Sequence, residues 1–251
     1  MNPIRAITAA FSIYSHIPMP QQNWDDVDSR QTLVYLPLVG CAVGAAFVLW
    51  SWAFASFNPV FVAAGCVILP LLMTGGIHMD GFLDTCDALA SLQNREGKLS
   101  ILKDVHIGAF ALIKGMMYMI AMLGLYSEGA VQLALPIALG FVLSRCCAML
   151  MLLALDNARG DGMLHHVQEG MDRRSVLASA LIFTALSCAI TLVAFPLPAL
   201  AAMAAVMVST LRFQRLAMKE FGGITGDLAG YCIQHAELWW TLGLIITWRL
   251  L

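Results

Sequence analysis

The sequence has few charged residues for its length. Lys, Arg, Asp and Glu make up 12% of the 251 residues, whereas a typical soluble domain has roughly 25%. Hydrophobic residues make up 60%, and the mean hydropathy is +0.78. A soluble fold of this size needs more polar surface than this composition supplies. The chain is therefore expected to be an integral membrane protein, and its formal net charge of -2 implies no general attraction to nucleic acid.

Several common functional motifs are also absent. The seven cysteines form no C-x-x-C pair and most lie in apolar runs, so small buried side chains are expected rather than disulfides or a zinc site. There is no Walker lysine motif and no recognisable Ser-His-Asp nucleophile elbow. No cleavable signal peptide is expected, because the first long apolar run begins only after Arg30 and three preceding aspartates.

Seven apolar segments are candidates for membrane-spanning helices, which need about 20 mostly apolar residues. In lipid a helix satisfies its own backbone hydrogen bonds, so the predicted fold is an all-α, polytopic membrane helix bundle of about seven transmembrane helices. The sixth segment is short, and it could be tilted or continue to Leu216. The segments are 33–57, 59–77, 107–126, 131–155, 175–195, 197–211 and 233–251.

The connections between these segments alternate in length and charge. Three are only a few residues long, whereas the loops 78–106, 156–174 and 212–232 hold most of the charged residues. Because Lys and Arg collect in cytoplasmic loops, the three long loops and the N-terminus are predicted to lie in the cytoplasm. Arg249 would then lie on the outside, which is a small point against this topology.

The chain is interpreted as one membrane domain, 1–251, with an N-terminal segment 1–32 ahead of the transmembrane bundle 33–251. Residues 1–17 have the pattern of an interfacial amphipathic helix, and an ordinary packed helix is an equal alternative. Prolines at positions 18 and 20 would end it. One helical face holds Ile4, Ile7, Phe11 and Tyr14, and another holds Arg5, Thr8, Ser12 and Ser15.

The strongest candidate for a functional site is the run HMDGFLDTCD at residues 78–87. On a helix Asp80, Asp84 and Asp87 share one face, since spacings of four and seven residues stay within about 60°. Carboxylates that repel one another favour a compensating cation, and oxygen ligands suit Mg²⁺ or Mn²⁺ rather than zinc. A solvated acidic face is the alternative, but the cluster begins where an apolar segment meets the interface. His78 lies roughly opposite Asp80, with a substrate contact and a plain interfacial histidine equally open.

Two further segments carry side chains suited to phosphate or proton transfer. Lys103, Asp104 and His106 precede the third span and could hold phosphate or move a proton, although interfacial lysines are often membrane anchors. Arg145 lies deep in the fourth segment and needs a partner, which leaves a structural ion pair and a functional role equally open. Arg159, at the start of the following loop, could donate to phosphate in a planar fork.

A glycine-rich segment, GGITGD at 222–227, repeats the Gly-Gly-Ile-x-x-Asp pattern found at 75–80. Glycine lets backbone amides approach a phosphate closely, and Asp227 could add a metal ligand. Carboxylates, cations and glycine turns on one membrane face match what phosphoryl transfer requires.

Four runs of sequence together resemble the cobalamin synthase family (adenosylcobinamide-GDP ribazoletransferase). They are GGIHMDGFLDTCDAL, KDVHIGAF, SRCCAMLMLLALDNARGDGM and GGITGDLAG, and the N-terminal FSIYSHIPMP also resembles the opening of that family. The matching runs extend from about residue 11 to residue 230 and occur in the same order. The first run is specific, and four in order make coincidence improbable.

The resemblance implies an enzyme of late cobalamin biosynthesis that joins adenosylcobinamide-GDP to α-ribazole or its 5′-phosphate and releases GMP. It also implies Mg²⁺ as cofactor, and the carboxylate donors allow Mn²⁺ in its place. The expected location is the cytoplasmic membrane of a bacterium, with the site on the cytoplasmic face where the charged loops are predicted to lie. The expected partners are these substrates and the lipid bilayer, and a homo-oligomer and other enzymes of the pathway are also considered. By motif match, Asp80, Asp84 and Asp87 would carry metal and diphosphate, and the separate roles are inferred from the residues themselves. Metal binding is assigned to Asp80, Asp84, Asp87 and Asp227, substrate binding to His78, Arg145, Asn157, Arg159, Gly222, Gly223 and Thr225, and catalysis to Lys103, Asp104 and His106.

Two other interpretations compete with this one. A CDP-alcohol phosphotransferase-like enzyme also places aspartates on membrane helices, but its D-G-x-x-A-R pattern fails after Asp80-Gly81. A transporter or channel would carry charges near the middle of several spans. Here most charges gather at one face, with Arg145 as the main exception.

Overall fold

A computed structural model describes residues 3–20, 29–160, 164, 167–168 and 170–251. Within these residues all regular secondary structure is helical, apart from one isolated β-bridge, and this confirms the all-α class. A short 3-10 helix, Ser29–Tyr35, precedes α2, and a π turn, Ala217–Phe221, follows α9. The α-helices are α1 Pro3–Tyr14, α2 Leu36–Ala53, α3 Pro59–Thr74, α4 Ile77–Ala90, α5 Arg95–Ile101, α6 Ala109–Gly129, α7 Ala134–Ala154, α8 Arg173–Ala194, α9 Pro196–Leu216 and α10 Gly226–Leu250.

Five helical stretches among the described residues are long and apolar enough to cross a membrane, and a multi-pass membrane protein follows. The pair α3 and α4, bent by 96°, makes a sixth if it is one broken span. The expected number of about seven was therefore approximate. The seventh predicted segment is helical as part of α10, but polar residues such as Gln234 and Glu237 make it less apolar than the five stretches that qualify. The five stretches are Gln31–Ala53, Ala109–Gly129, Ala134–Ala154, Arg173–Ala194 and Pro196–Phe221.

Helix α7 forms the centre of the bundle. Its most apolar window is 78% buried inside the protein, as expected for a helix that is apolar on every side. Helix α2 packs closely against it through Gly40 and Gly44, where an added Cβ would lie 2.6 and 2.8 Å from backbone oxygens of α7. Small residues four apart are a common contact surface between membrane helices.

Helices α6, α8 and α9 form the outer surface of the bundle. Only 28%, 22% and 33% of their apolar windows are buried inside the protein. Large apolar side chains along α6, such as Leu112, Met116 and Ile120, are more than half exposed. This lipid-facing surface accounts for the excess of apolar residues in the sequence.

Hydrogen-bonded caps fix where several helices begin. The side chain of Asn58 accepts from the amide of Val60 at the start of α3, and Asp172 accepts from two amides at the start of α8. The hydroxyl of Thr225 accepts from the Leu228 amide at the start of α10, at 3.2 Å. These caps satisfy amides that have no partner within the helix.

The segments expected as long loops contain regular structure. Residues 78–106 include most of α4 and all of α5, and residues 212–232 include the end of α9 and the beginning of α10. At the opposite end of the bundle Arg249 pairs with Glu128 at 2.5 Å. Since α10 runs about 37 Å, it carries the chain from one face to the other.

Helix α1 is present, but it does not bury the face predicted from its pattern. It packs on the bundle through Ala6, Ala9 and Ala10, all fully buried, while Ile4 is 71% exposed. Contact through alanines fits the alternative of a packed N-terminal helix. The exposed Ile4 also leaves an apolar side chain available to the membrane interface.

Candidate functional site

Helix α4 begins directly after a tight glycine turn. Gly75 ends α3 with a left-handed φ of 62°, and α4 then leaves at 96° to α3. Asp80 lies in the first turn and is exposed, while Asp84 and Asp87 are half-buried further along. The predicted grouping of three aspartates on one helix is present.

Asp227 joins this acidic cluster from the first turn of α10. Burial is the main cause that disfavours the charge on Asp84, the carboxylates of Asp80, Asp227 and Asp87 add to it, and the positive charge of Arg159 opposes it. Two parts of the chain about 140 residues apart therefore supply one electrostatic site, and the repulsion within it favours a bound cation.

Close packing of α4 against α10 brings these acids together. A Cβ added at Gly81 would lie 2.7 Å from the carbonyl oxygen of Asp227, and one at Gly230 would lie 2.9 Å from the carbonyl oxygen of His78. The two helices touch where each lacks a side chain. Both copies of the Gly-Gly-Ile-x-x-Asp pattern thus end with an aspartate in the first turn of a helix, and these two helices are neighbours.

A short parallel bridge between Asn157 and Ile224 ties the loop after α7 to the glycine-rich segment. The Ala158 amide donates to the Ile224 carbonyl at 2.9 Å, and the Ile224 amide donates to the Asp156 carbonyl at 2.9 Å. The bridge holds Arg159 and Asp227 on the same side of the site.

Arg159 is paired with Asp227 at 3.0 Å, and both side chains are largely buried. The side chain of Asn157 accepts from the amides of Arg159 and Gly160, both at 2.9 Å, and so fixes this turn. The buried Nε of Arg159 has no hydrogen-bond partner among the described residues. A guanidinium with a donor to spare beside carboxylates is suited to hold an anionic oxygen.

The other residues of the glycine-rich segment have visible structural roles. Gly222 has a φ of 70°, and its carbonyl accepts from Arg95 at 3.4 Å. Gly223 is buried between the π turn and the bridge, and Thr225 caps α10. Their assignment to substrate binding stays a prediction.

The loop between α5 and α6 carries Lys103, Asp104 and His106, all exposed. His106 Nδ1 and Asp104 Oδ1 are 2.7 Å apart, and hydrogen bonds from His106 lower the pKa of Asp104 below its ordinary value. The loop ends at Gly108, where an added Cβ would lie 2.1 Å from the carboxylate of Asp87. The three residues therefore lie in the loop that borders the acidic cluster, and their catalytic roles stay predictions.

Arg145 is buried in the bundle core, with 1% of its surface exposed. Its guanidinium donates to Glu237, to the hydroxyl of Ser144 and to the carbonyl of Phe141. The hydroxyl of Ser144 also donates to Glu237, at 3.2 Å. This arrangement favours the structural ion pair over direct contact with a substrate.

His78 is also buried, with 6% of its surface exposed. Its Nε2 atom has no hydrogen-bond partner among the described residues. A substrate contact therefore remains open for His78, whereas the interpretation as a solvated interfacial side chain is not supported.

The acidic cluster fits a hard divalent cation by its chemistry. Within the described part of the chain, no group of three or more His, Cys, Asp or Glu side chains is arranged to hold a metal ion. Mg²⁺ is commonly bound through only one or two carboxylates, with substrate phosphates and water completing its shell. Asp80, Asp84, Asp87 and Asp227 offer oxygen donors of the right kind, so the donor set is compatible with a metal shared with a diphosphate substrate.

Comparison with known proteins identifies the family. A family model for cobalamin-5-phosphate synthase matches residues 6–245. The chain belongs to this family. The adenosylcobinamide-GDP ribazoletransferase of Lachnoclostridium phytofermentans is 33% identical, over 98% of this chain and 95% of its own length. Proteins of the same name from Azorhizobium caulinodans and Clostridium perfringens are 33% and 28% identical, over 96% and 93% of this chain and 95% and 94% of their own. No solved structure matches the chain.

Membership of the cobalamin-5-phosphate synthase family confirms the resemblance drawn from the four sequence runs. The chain is accordingly an enzyme of cobalamin biosynthesis that acts on small molecules. The lipid-forming and transporter interpretations gain no support from these relatives.

Sequence reasoning missed two features that the structure supplies. Glu237 was not singled out, although an acid in an apolar segment is the natural partner for a buried Arg145. Arg95 was counted only as a loop charge, yet it contacts Gly222 beside the site. The first could have been found by pairing intramembrane charges of opposite sign, whereas the second has no local signal.

Proposed function

We propose that this chain is an adenosylcobinamide-GDP ribazoletransferase. It joins adenosylcobinamide-GDP to α-ribazole or its 5′-phosphate, and the products are adenosylcobalamin or its 5′-phosphate and GMP. The observation that carries the proposal is the convergence of four carboxylates and Arg159 from three separate segments, in a chain of this family. A diphosphate substrate needs both a cation to screen it and a guanidinium to orient it.

In the proposed reaction a hydroxyl oxygen of α-ribazole forms a bond to the phosphorus on the cobinamide side. The bond from that phosphorus to the bridging oxygen breaks, and GMP leaves with that oxygen. The hydroxyl proton passes to a base. Asp104 holds the Nδ1 side of His106, which leaves Nε2 of this exposed imidazole free to accept a proton.

The aspartates would bind the diphosphate through Mg²⁺, or through Mn²⁺ in its place. Bound there, the metal would neutralise charge that develops on the phosphate oxygens. Arg159 would orient the diphosphate with its spare donor, and Gly222 and Gly223 would let the backbone approach it. Lys103, in the loop that borders the cluster at Gly108, would add a further positive charge.

The site lies on the face that holds the charged connections, so we propose that it faces the cytoplasm from the cytoplasmic membrane of a bacterium. The substrates and the bilayer are the proposed partners. A homo-oligomer and contacts with other enzymes of the pathway belong to the same proposal, and co-purification in mild detergent would test them.

The direct test is release of GMP by lipid-reconstituted protein given adenosylcobinamide-GDP, α-ribazole 5′-phosphate and Mg²⁺. The parent should release GMP, and Asp84→Asn should lower turnover by roughly 100-fold or more because it removes a charged oxygen donor at the diphosphate.

Glu128→Gln is the matched control for this test. It removes an exposed carboxylate from the opposite face, where it pairs with Arg249, so it should retain activity. Equal turnover in Asp84→Asn and the parent would keep the reaction but contradict the metal site. A folded parent that releases no GMP would refute the proposed function.

A further inference from the structure

A cavity of about 210 Å³ lies beneath α1, between α2, α4, α7 and α10. Its wall is mainly apolar and includes Tyr14, Leu36 and Ile233. Asp80 and Asp227 of the acidic cluster line it as well. One continuous space therefore joins an apolar chamber to the carboxylates at which the reaction is proposed.

His78 contributes a buried polar atom to this cavity. It lines the cavity, and it is 94% buried because only 6% of its surface is exposed. Its Nε2 has no hydrogen-bond partner among the described residues. Burying such a group without a partner is costly, so a ligand that supplies one is expected.

We propose that this cavity binds the aromatic base of the acceptor nucleoside, the benzimidazole of α-ribazole, and that His78 Nε2 donates to its one unsubstituted ring nitrogen. The inference rests on the proposed function and adds where the acceptor binds. The ribose then lies toward Asp80 and Asp227, with its hydroxyl directed to the acidic cluster. His78 acts here as a specificity residue and takes no part in bond making.

Size and polarity select this part of the substrates. An apolar cavity of about 150 Å³ is enough to bind benzene, so one of about 210 Å³ suits a small fused ring. A corrin ring is far too large for this space. Guanine would fit by size, but its several donors and acceptors would be left unpaired against an apolar wall. A benzimidazole nucleoside has a single free ring nitrogen, which matches the single unpartnered Nε2.

Gly226 offers a way to fill the cavity. It lines the cavity, and a Cβ added there would meet no heavy atom within 4 Å. Gly226→Leu should raise the KM for α-ribazole 5′-phosphate by about 10-fold or more, since excluding a buried ring system removes at least 1.4 kcal/mol of binding. The KM for adenosylcobinamide-GDP should not change.

Gly124→Leu is the matched control. Gly124 also has open space around an added Cβ, but it lies on α6 away from the cavity. This variant should leave both KM values as in the parent. An unchanged acceptor KM in Gly226→Leu, or a rise in the KM for adenosylcobinamide-GDP instead, would overturn the proposal.

Binding without turnover separates this inference from the proposed function. Equilibrium dialysis would compare α-ribazole with its indole analogue, in which the free ring nitrogen is replaced by CH. The parent should prefer α-ribazole by roughly 3- to 10-fold, the effect of one neutral hydrogen bond, and His78→Phe should abolish that preference. A preference that persists in His78→Phe, or displacement of α-ribazole by GMP, would overturn the assignment of this cavity. If the parent releases GMP but gives either of these results, the proposed function stands and only the assignment of the cavity fails. If a folded parent neither binds α-ribazole nor releases GMP, both proposals fail.

Discussion

At the scale of single residues, burial separates side chains that hold the protein together from those that can meet a substrate. Arg145 and Glu237 are both inside the bundle and share Ser144 as a common partner. Arg159 and Asp227 form a similar pair, but they lie at the face of the protein, where both side chains are partly exposed. Only the second pair is placed to exchange a partner for a ligand.

Removing one member of the buried pair should destabilise the protein strongly. Arg145→Met leaves the Glu237 carboxylate in the core without its cation, which should cost about 3–5 kcal/mol. The double variant Arg145→Met, Glu237→Leu should recover most of that loss, because apolar replacements of a whole buried pair are often tolerated. Thermal unfolding in mild detergent measures both.

The control for the buried pair is Arg212→Met, at an exposed position near the end of α9, which should shift the unfolding temperature little. A loss in the double variant that equals the sum of the losses in Arg145→Met and in Glu237→Leu, each measured alone, would contradict a coupled pair.

At the scale of helices, the crossing of α4 and α10 sets the geometry of the acidic cluster. Neither helix holds a complete site, since three aspartates lie on one and the fourth on the other. The crossing is close because Gly81 and Gly230 lack side chains. The distance between Asp84 and Asp227 therefore depends on these two glycines.

Gly81→Ala should force the two helices apart. The new methyl group would lie 2.7–2.8 Å from backbone atoms of Asp227, and backbone cannot move aside as a flexible side chain can. Overpacking of this kind costs about 1–3 kcal/mol, and turnover should fall because Asp227 shifts relative to α4. GMP release and thermal unfolding, measured on the same preparation, report the two effects.

Gly124→Ala serves as the comparison for the helix crossing, because an added Cβ meets open space there. It should keep both stability and turnover. A Gly81→Ala protein with full turnover and an unchanged unfolding temperature would show that the close crossing does not position the site.

At the scale of the whole molecule, the bundle has two chemically different ends. Near α4 the connections meet through the Asn157–Ile224 bridge, the Arg159–Asp227 pair and the contact of Lys98 with Glu220. At the other end Glu128 and Arg249 pair with each other. That pairing gives the charge of Arg249 a partner on its own side of the bundle.

Cysteine labelling should show opposite sides for the two ends. Leu92→Cys and Val105→Cys, at positions 105% and 93% exposed, should react with a membrane-impermeant maleimide only in inside-out vesicles. Phe57→Cys, at a position 53% exposed in the short α2–α3 turn, should react only in right-side-out vesicles. Each variant is scored by how much its labelling exceeds that of the parent protein, which has cysteines of its own. The reverse pattern would place the acidic cluster outside the cytoplasm.

Local patterns predicted much of this protein because their causes are local. The apolar segments became helices, and the four- and three-residue spacing of the aspartates placed them together on α4, since both follow from helix periodicity. The boundaries of the long connections were less accurate, because α4 and α5 are too short or too polar to register as spans. The buried alanine face of α1 was missed because large apolar residues dominate its pattern, whereas close packing favours small ones.

The sequence by itself determined the membrane class, the all-α fold, the acidic face of α4 and, through four ordered runs, the family. These properties depend on composition, periodicity and residue identity, which a linear chain already contains. Only the tertiary structure decided that Asp227 and Arg159 complete the acidic cluster, that Arg145 is paired with Glu237, and that His78 lines a cavity beside that cluster. Each of these is a contact between residues far apart in sequence, and such contacts exist only once helix packing has selected which faces meet.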